Sequence, residues 1–114
     1  MESSVQQFTD ATLINIKGRI DHKTAKDFEE ALKSHLGDGQ TGSLVLDLGE
    51  LEYMTSAGLR VLLMLAKKLQ GTGGHLVLCA MPESVRLVFE LAGFLPIFEI
   101  EDTRQAALSR LGAA

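Results

Sequence analysis

Apolar positions along the chain change their spacing several times, and each change predicts an element. "SVQQFT" (residues 4–9) and "ATLINIKG" (residues 11–18) are short apolar-containing runs on either side of Asp10, which predicts an edge hairpin turning there. "TAKDFEEALKSHL" (residues 24–36) places Ala25, Phe28, Leu32 and Leu36 at helical spacing with charges between them. Thr24 followed by Asp27 resembles a capping box, and "GDGQTG" (residues 37–42) closes the helix. "SLVLDL" (residues 43–48) is apolar almost throughout, as expected of a strand buried on both faces. "SAGLRVLLMLAKKLQ" (residues 56–70) puts Leu59, Leu62, Leu63, Ala66 and Leu69 on one stripe, ended by "GTGG". "HLVLCA" (residues 75–80) predicts another buried strand, and "PESVRLVFELAGF" (residues 82–94) a helix with proline in its first turn. "IFEI" (residues 97–100) predicts a short strand, and residues 102–111 a last helix capped by Asp102.

The predicted order is β-β-α-β-α-β-α-β-α. Strands alternating with helices imply an α/β fold with a mostly parallel mixed sheet and right-handed crossovers. The N-terminal hairpin adds an antiparallel edge, and four helices cover the sheet. The pattern shows no linker, repeat or low-complexity stretch, so residues 1–114 are expected to form a single domain.

In such a sheet every strand-to-helix loop lies at one edge, where ligands and partners bind. Residues 18–24, 49–56 and 80–84 supply these loops. Asp21 and Ser56 are therefore expected to face one region. Ser56 falls at the N-cap or first residue of the second long helix, and two readings of it stay open. A serine there contributes about 1 kcal/mol as a cap. The same helix start also tolerates an anion, through its free N–H groups and dipole, so a phosphate added to Ser56 would bring about −1.5 to −2 charges without breaking the helix.

Composition narrows the classes. Net charge is −4, from 11 basic and 15 acidic side chains, which disfavours nucleic acid or an anionic membrane as a direct partner. One cysteine, Cys79, excludes an internal disulfide and fits a reducing compartment. "MESSVQQF" lacks the character of a signal peptide, and the apolar run at residues 61–66 is too short to cross a bilayer, so a cytoplasmic location is expected. His22, His35 and His75 sit on separate elements without metal-ligand spacing, and no metal or cofactor is expected. "GTGG" follows a helix and precedes a strand, the reverse of a phosphate-binding loop. "TSAG" is not the G-x-S-x-G of a serine nucleophile, so the chain reads as a non-enzyme. Asp47 is expected to hold backbone groups of the loop at residues 49–56, and Cys79 to be core. Tyr53 and Met54 read equally as partner contacts or as core.

"GRIDHKTA", then "LVLDLGELEYMTSAGLRVLLMLAKKLQGTGGHLVLC", "VRLVFELAGF" and "IFEIEDTRQAAL", resembles the STAS domain of anti-sigma factor antagonists over nearly the whole chain. The family pattern has Gly-x-(Leu/Ile)-Asp before the first helix, matched here through Asp21. It has an aspartate-serine-x-glycine-leucine segment opening the second. The matched serine is Ser56, and Thr55 stands where the family carries aspartate. The resemblance implies a partner-switching protein that binds an anti-sigma factor serine kinase and releases that kinase's client. It further implies that phosphorylation of Ser56 ends the complex, with Thr55 as an alternative acceptor, and that a serine phosphatase resets it. ATP and magnesium would belong to the kinase. The implied partner-binding residues are Asp21, His22, Thr24, Met54, Thr55, Ser56 and Gly58. The alternative use of such a domain is docking on a membrane transporter, with the same loop as contact surface.

Overall fold

A computed structural model of the chain describes residues 1–8, 11–36 and 42–112. The expected apex at Asp10 and most of the "GDGQTG" connection lie outside them. The elements are β1 (Glu2–Gln7), β2 (Ala11–Ile20), α1 (Ala25–Leu36), β3 (Ser43–Met54), α2 (Ser56–Gln70), β4 (Leu76–Cys79), α3 (Glu83–Leu91), a 3-10 turn (Leu95–Ile97), β5 (Glu99–Glu101) and α4 (Arg104–Arg110). They match the predicted order, with the 3-10 turn added. The sheet order is β1-β2-β3-β4-β5, antiparallel between β1 and β2 and parallel elsewhere.

Because the strands lie in chain order, every crossover steps the same way, and crossovers of one hand stack their helices on one face. Alternation along each strand then builds two cores. Ile14, Leu46 and Leu78 share one register row and pack with Phe28 and Leu32 of α1, Leu59 and Leu62 of α2, and Val85 and Phe89 of α3. Leu13, Val45 and Val77 share the next row, on the opposite face, where with Cys79 they meet Ala107 and Leu108 of α4. α2 spans residues 56–70 as predicted, but its buried arc is broader than the predicted stripe. Val61 and Leu65 are buried, while Leu63 and Ala66 are only partly so. The helix packs against α1 as well as the sheet, so two flanks are covered.

Several boundaries differ from expectation: β1 spans Glu2–Gln7 and not residues 4–9, β2 runs on through residues 18–20, read as loop, and α3 ends at Leu91. Residues 49–54, read as a loop, continue β3, with Leu51 opposite Gly18, Tyr53 opposite Arg19 and Met54 opposite Ile20. β4 pairs with β3 only as far as Asp47 opposite Cys79, so this extension has a neighbour on one side alone. Its sequence is correspondingly mixed: Leu51 and Met54 are buried while Glu50, Glu52 and Tyr53 are exposed. Thr103, not Asp102, caps α4 by accepting from the Ala106 N–H at 3.0 Å. The entry to α1 is held by Asp21 with Thr24 rather than by Thr24 with Asp27. Leu95–Ile97, partly read as strand, is the 3-10 turn, and β5 is confined to Glu99–Glu101.

Candidate functional site

β2 and β3 end side by side, and the Thr55 N–H donates to the Ile20 carbonyl at 2.9 Å. Asp21 and Ser56 each lie one residue beyond this link. The pairing brings together two positions that are 35 residues apart in the chain, as the loop argument expected. A third segment closes the same edge: Ser84, in the first turn of α3, donates to the Glu52 carbonyl at 3.4 Å.

The Asp21 turn is densely bonded. Its Oδ1 accepts the N–H groups of Lys23 at 2.9 Å and Thr24 at 3.0 Å. Thr24 Oγ1 in return accepts the Asp21 N–H at 2.9 Å, while its proton faces the Arg19 carbonyl at 3.1 Å and Asp21 Oδ1 at 3.2 Å. The Ala25 N–H reaches the Asp21 carbonyl and starts α1. The Thr24 N–H above all holds the Asp21 carboxyl below the usual carboxylate range, assisted by the Lys23 N–H and the Arg19 charge. Asp21 is thus the N-terminal clamp of α1 as well as part of the edge. His22 is exposed beside it, and the Arg19 guanidinium lies 5.3 Å over the ring of the exposed Tyr53.

Ser56 is the first residue of α2 and is exposed. Thr55 is the N-cap, with extended backbone (φ −93, ψ 176), but its hydroxyl does not cap. Thr55 Oγ1 is buried and has no hydrogen-bond partner among the described residues. Its carbonyl accepts the first helical N–H groups, from Gly58 at 3.0 Å and Leu59 at 3.3 Å. The two neighbouring hydroxyls are therefore unequal: one open to solvent, the other enclosed.

Two residues expected as contact surface lie beneath it instead. Met54 is fully buried, because the last position of β3 points into the helix-covered core. Gly58 is buried too, and a Cβ there would stand 2.8 Å from both Ile20 Cγ2 and Met54 Cγ. Its lack of a side chain lets α2 start directly against the ends of β2 and β3. Met54 and Gly58 position the site and do not present side chains on it.

Asp47 does hold backbone nearby: its Oδ1 accepts the Gly49 N–H at 2.8 Å. The sequence reading missed its other partner. Asp47 Oδ2 meets Arg104 of α4, at 2.9 Å from Nε and 2.8 Å from the terminal nitrogen. The pair is 57 residues apart and carries no local signal. Cys79 lies in the core, and burial, then the Asp47 carboxylate, push its thiol up to about 12. Among the described residues no three or more His, Cys, Asp or Glu side chains are grouped as metal ligands. No helix among them is long and apolar enough to cross a membrane.

A strand-ordered α/β sheet with this edge defines a known domain. The chain matches the STAS domain family over residues 2–107 and belongs to it. It is 41% identical over 99 residues to BtrV of Bordetella bronchiseptica, a candidate anti-sigma factor antagonist, covering 87% of this chain and 84% of that one. Its fold is similar to that of a candidate anti-sigma factor antagonist of Thermotoga maritima, with a TM-score of 0.87 at 22% identity over 96% of this chain and 94% of that one. It is also similar to the unphosphorylated form of the anti-sigma factor antagonist SpoIIAA, with a TM-score of 0.79 at 19% identity over 99% of each chain.

Proposed function

We propose that this chain is an anti-sigma factor antagonist working as a phosphorylation-gated binding protein, with no reaction of its own. The observation that carries the reading is the exposed Ser56 at the first position of α2, beside the Asp21 turn. Unphosphorylated, the edge formed by Asp21, His22, Thr24 and Ser56 binds an anti-sigma factor serine kinase and frees the kinase's client. The kinase supplies ATP and magnesium, and Ser56 Oγ bonds the γ-phosphorus as the bond to the β–γ bridging oxygen breaks, ADP leaving and the serine proton passing to the kinase or solvent. The enclosed Thr55 hydroxyl favours Ser56 over Thr55 as acceptor. The added charge of about −1.5 to −2 sits where a neutral hydroxyl met the partner. Desolvating it without a counter-charge costs several kcal/mol, so the complex separates until a serine phosphatase restores Ser56. The names of the relatives support this reading over docking on a transporter.

The test begins with the host's kinase, recognised by ATP-dependent phosphoryl transfer to this chain, with the acceptor residue then mapped by mass spectrometry. Calorimetry then compares wild type, Ser56→Ala and Ser56→Asp against it, with circular dichroism checking the fold. Alanine should bind like wild type and resist phosphorylation. Aspartate carries one charge and fewer acceptor oxygens than phosphate and should weaken binding by roughly tenfold or more. Aspartate binding as tightly as wild type would sink the switch, as would transfer to Thr55 alone.

A further inference from the structure

The two edges of the sheet are treated differently. β5 is three residues long, carries Glu99 and Glu101 itself, and is followed by Asp102. Arg110 of α4 reaches across to Glu99 at 3.2 Å and Glu101 at 2.6 Å. The groove beside β5 is lined by Arg86, Glu99, Asp102 and Arg110 among apolar residues. Short length and charge are the usual means by which proteins keep an edge strand from pairing with another chain.

β1 has none of these protections. It is a six-residue strand, ESSVQQ, with no proline, no lysine and a single charge, Glu2. Its pairing with β2 runs from Glu2 opposite Lys17 to Gln7 opposite Thr12 without a register break. No bulge therefore twists the edge away. All its residues but Ser3 are exposed, and among the described residues no element pairs with its outer side. Its one apolar side chain, Val5, is 42% exposed.

We propose that the outer edge of β1 is a self-association surface, pairing antiparallel with β1 of a second copy into one continuous sheet. The occupant is a second copy because the strand is complementary to itself in one register. Two strands joined edge to edge about a two-fold axis keep their faces, so directly opposed residues must share a face. Centring the axis on Val5 satisfies this. Val5 then lies opposite Val5, Ser4 opposite Gln6, and Ser3 opposite Gln7. The exposed valines cover each other, the polar side chains meet hydrogen-bonding partners, and the two Glu2 carboxylates are kept apart. Parallel pairing in register would stack Glu2 on Glu2, and like charges directly opposed destabilise a sheet. The surface is separate from the Ser56 edge, so the proposal does not depend on the kinase reading.

Sedimentation equilibrium of the full chain, from micromolar to near-millimolar concentration, tests it. Wild type should show a monomer–dimer equilibrium. Val5→Lys opposes two ammonium groups at the centre and should raise the dissociation constant by roughly tenfold or more, with circular dichroism unchanged. Val5→Cys should cross-link under mild oxidation as a dimer, Cys79 being buried and out of play. Ser4→Cys should cross-link far less, because its twin lies on a diagonal of about 7–8 Å, beyond comfortable disulfide reach. A wild type monomeric throughout overturns the proposal. So does a dimer that Val5→Lys leaves intact, or equal cross-linking at both positions, which would rule out the Val5 register.

Discussion

Gly58 shows how one buried residue at the start of α2 shapes the Ser56 edge from beneath. In a helix interior alanine is preferred to glycine by about 1 kcal/mol, which by itself favours Gly58→Ala. Here the added methyl would meet Ile20 Cγ2 and Met54 Cγ at 2.8 Å. Both atoms are near the base of buried side chains and cannot swing away. Overpacking of this kind costs about 1–3 kcal/mol, which offsets or exceeds the helical gain. Gly58→Ala should lower the denaturant midpoint, and a raised midpoint would show that the contact relaxes freely. The difference between Thr55 and Ser56 belongs to the same scale. Both were legible as hydroxyls at a helix start, but their unequal exposure follows from which way the last residues of β3 turn. The "SAGL" pattern located the exposed serine at the helix start, whereas the close contact of Gly58 with Ile20 joins segments far apart in sequence.

Among the α-helices, α4 is the shortest and buries little apolar surface. It is seven residues long, and the residues it buries are Ala107 and Leu108. Arg104 adds the two bonds to Asp47, whose side chain is 11% exposed. Leaving the mostly buried Asp47 carboxylate without this partner costs about 1–3 kcal/mol, which is appreciable beside the burial of one alanine and one leucine. Arg104→Ala should therefore reduce hydrogen-exchange protection in residues 104–110 well before that of α2. Protection equal to that of wild type would mean that packing and the Arg110 pairs hold α4 without Arg104. The helix itself was legible from its apolar spacing. Its placement alone on the far face was not, nor was the salt bridge that ties it there.

For the whole molecule the weight lies in the larger core, where α1, α2 and α3 share one side of the sheet. Leu62 is fully buried at its centre. Leu62→Ala removes a fully buried side chain from this core, at a cost of about 2–5 kcal/mol, out of about 5–15 kcal/mol holding a typical domain. Chemical denaturation should show the midpoint fall with the transition still cooperative. An unchanged midpoint would mean that the α2 stripe is not the centre of the core. The two cores differ in kind. The first joins three helices through many large side chains, while the second has one short helix over Leu13, Val45, Val77 and Cys79.

Element order, the parallel sheet, the bounds of α2 and the meeting of Asp21 with Ser56 were determined by the sequence alone. Each rests on local periodicity, or on the topological rule that parallel strands deliver their loops to one edge. The tertiary structure alone decided that residues 49–54 are strand, that Met54 and Gly58 lie under the site, and that Arg104 reaches Asp47. Residues 49–54 become strand because β2 lies alongside them, which their own mixed pattern does not announce. Burial of Met54 and Gly58 depends on how closely α2 approaches the ends of β2 and β3. The Arg104–Asp47 pair depends on the face to which α4 returns. Such facts are set by distances between segments remote in the chain, and no local pattern of apolar and polar residues records them.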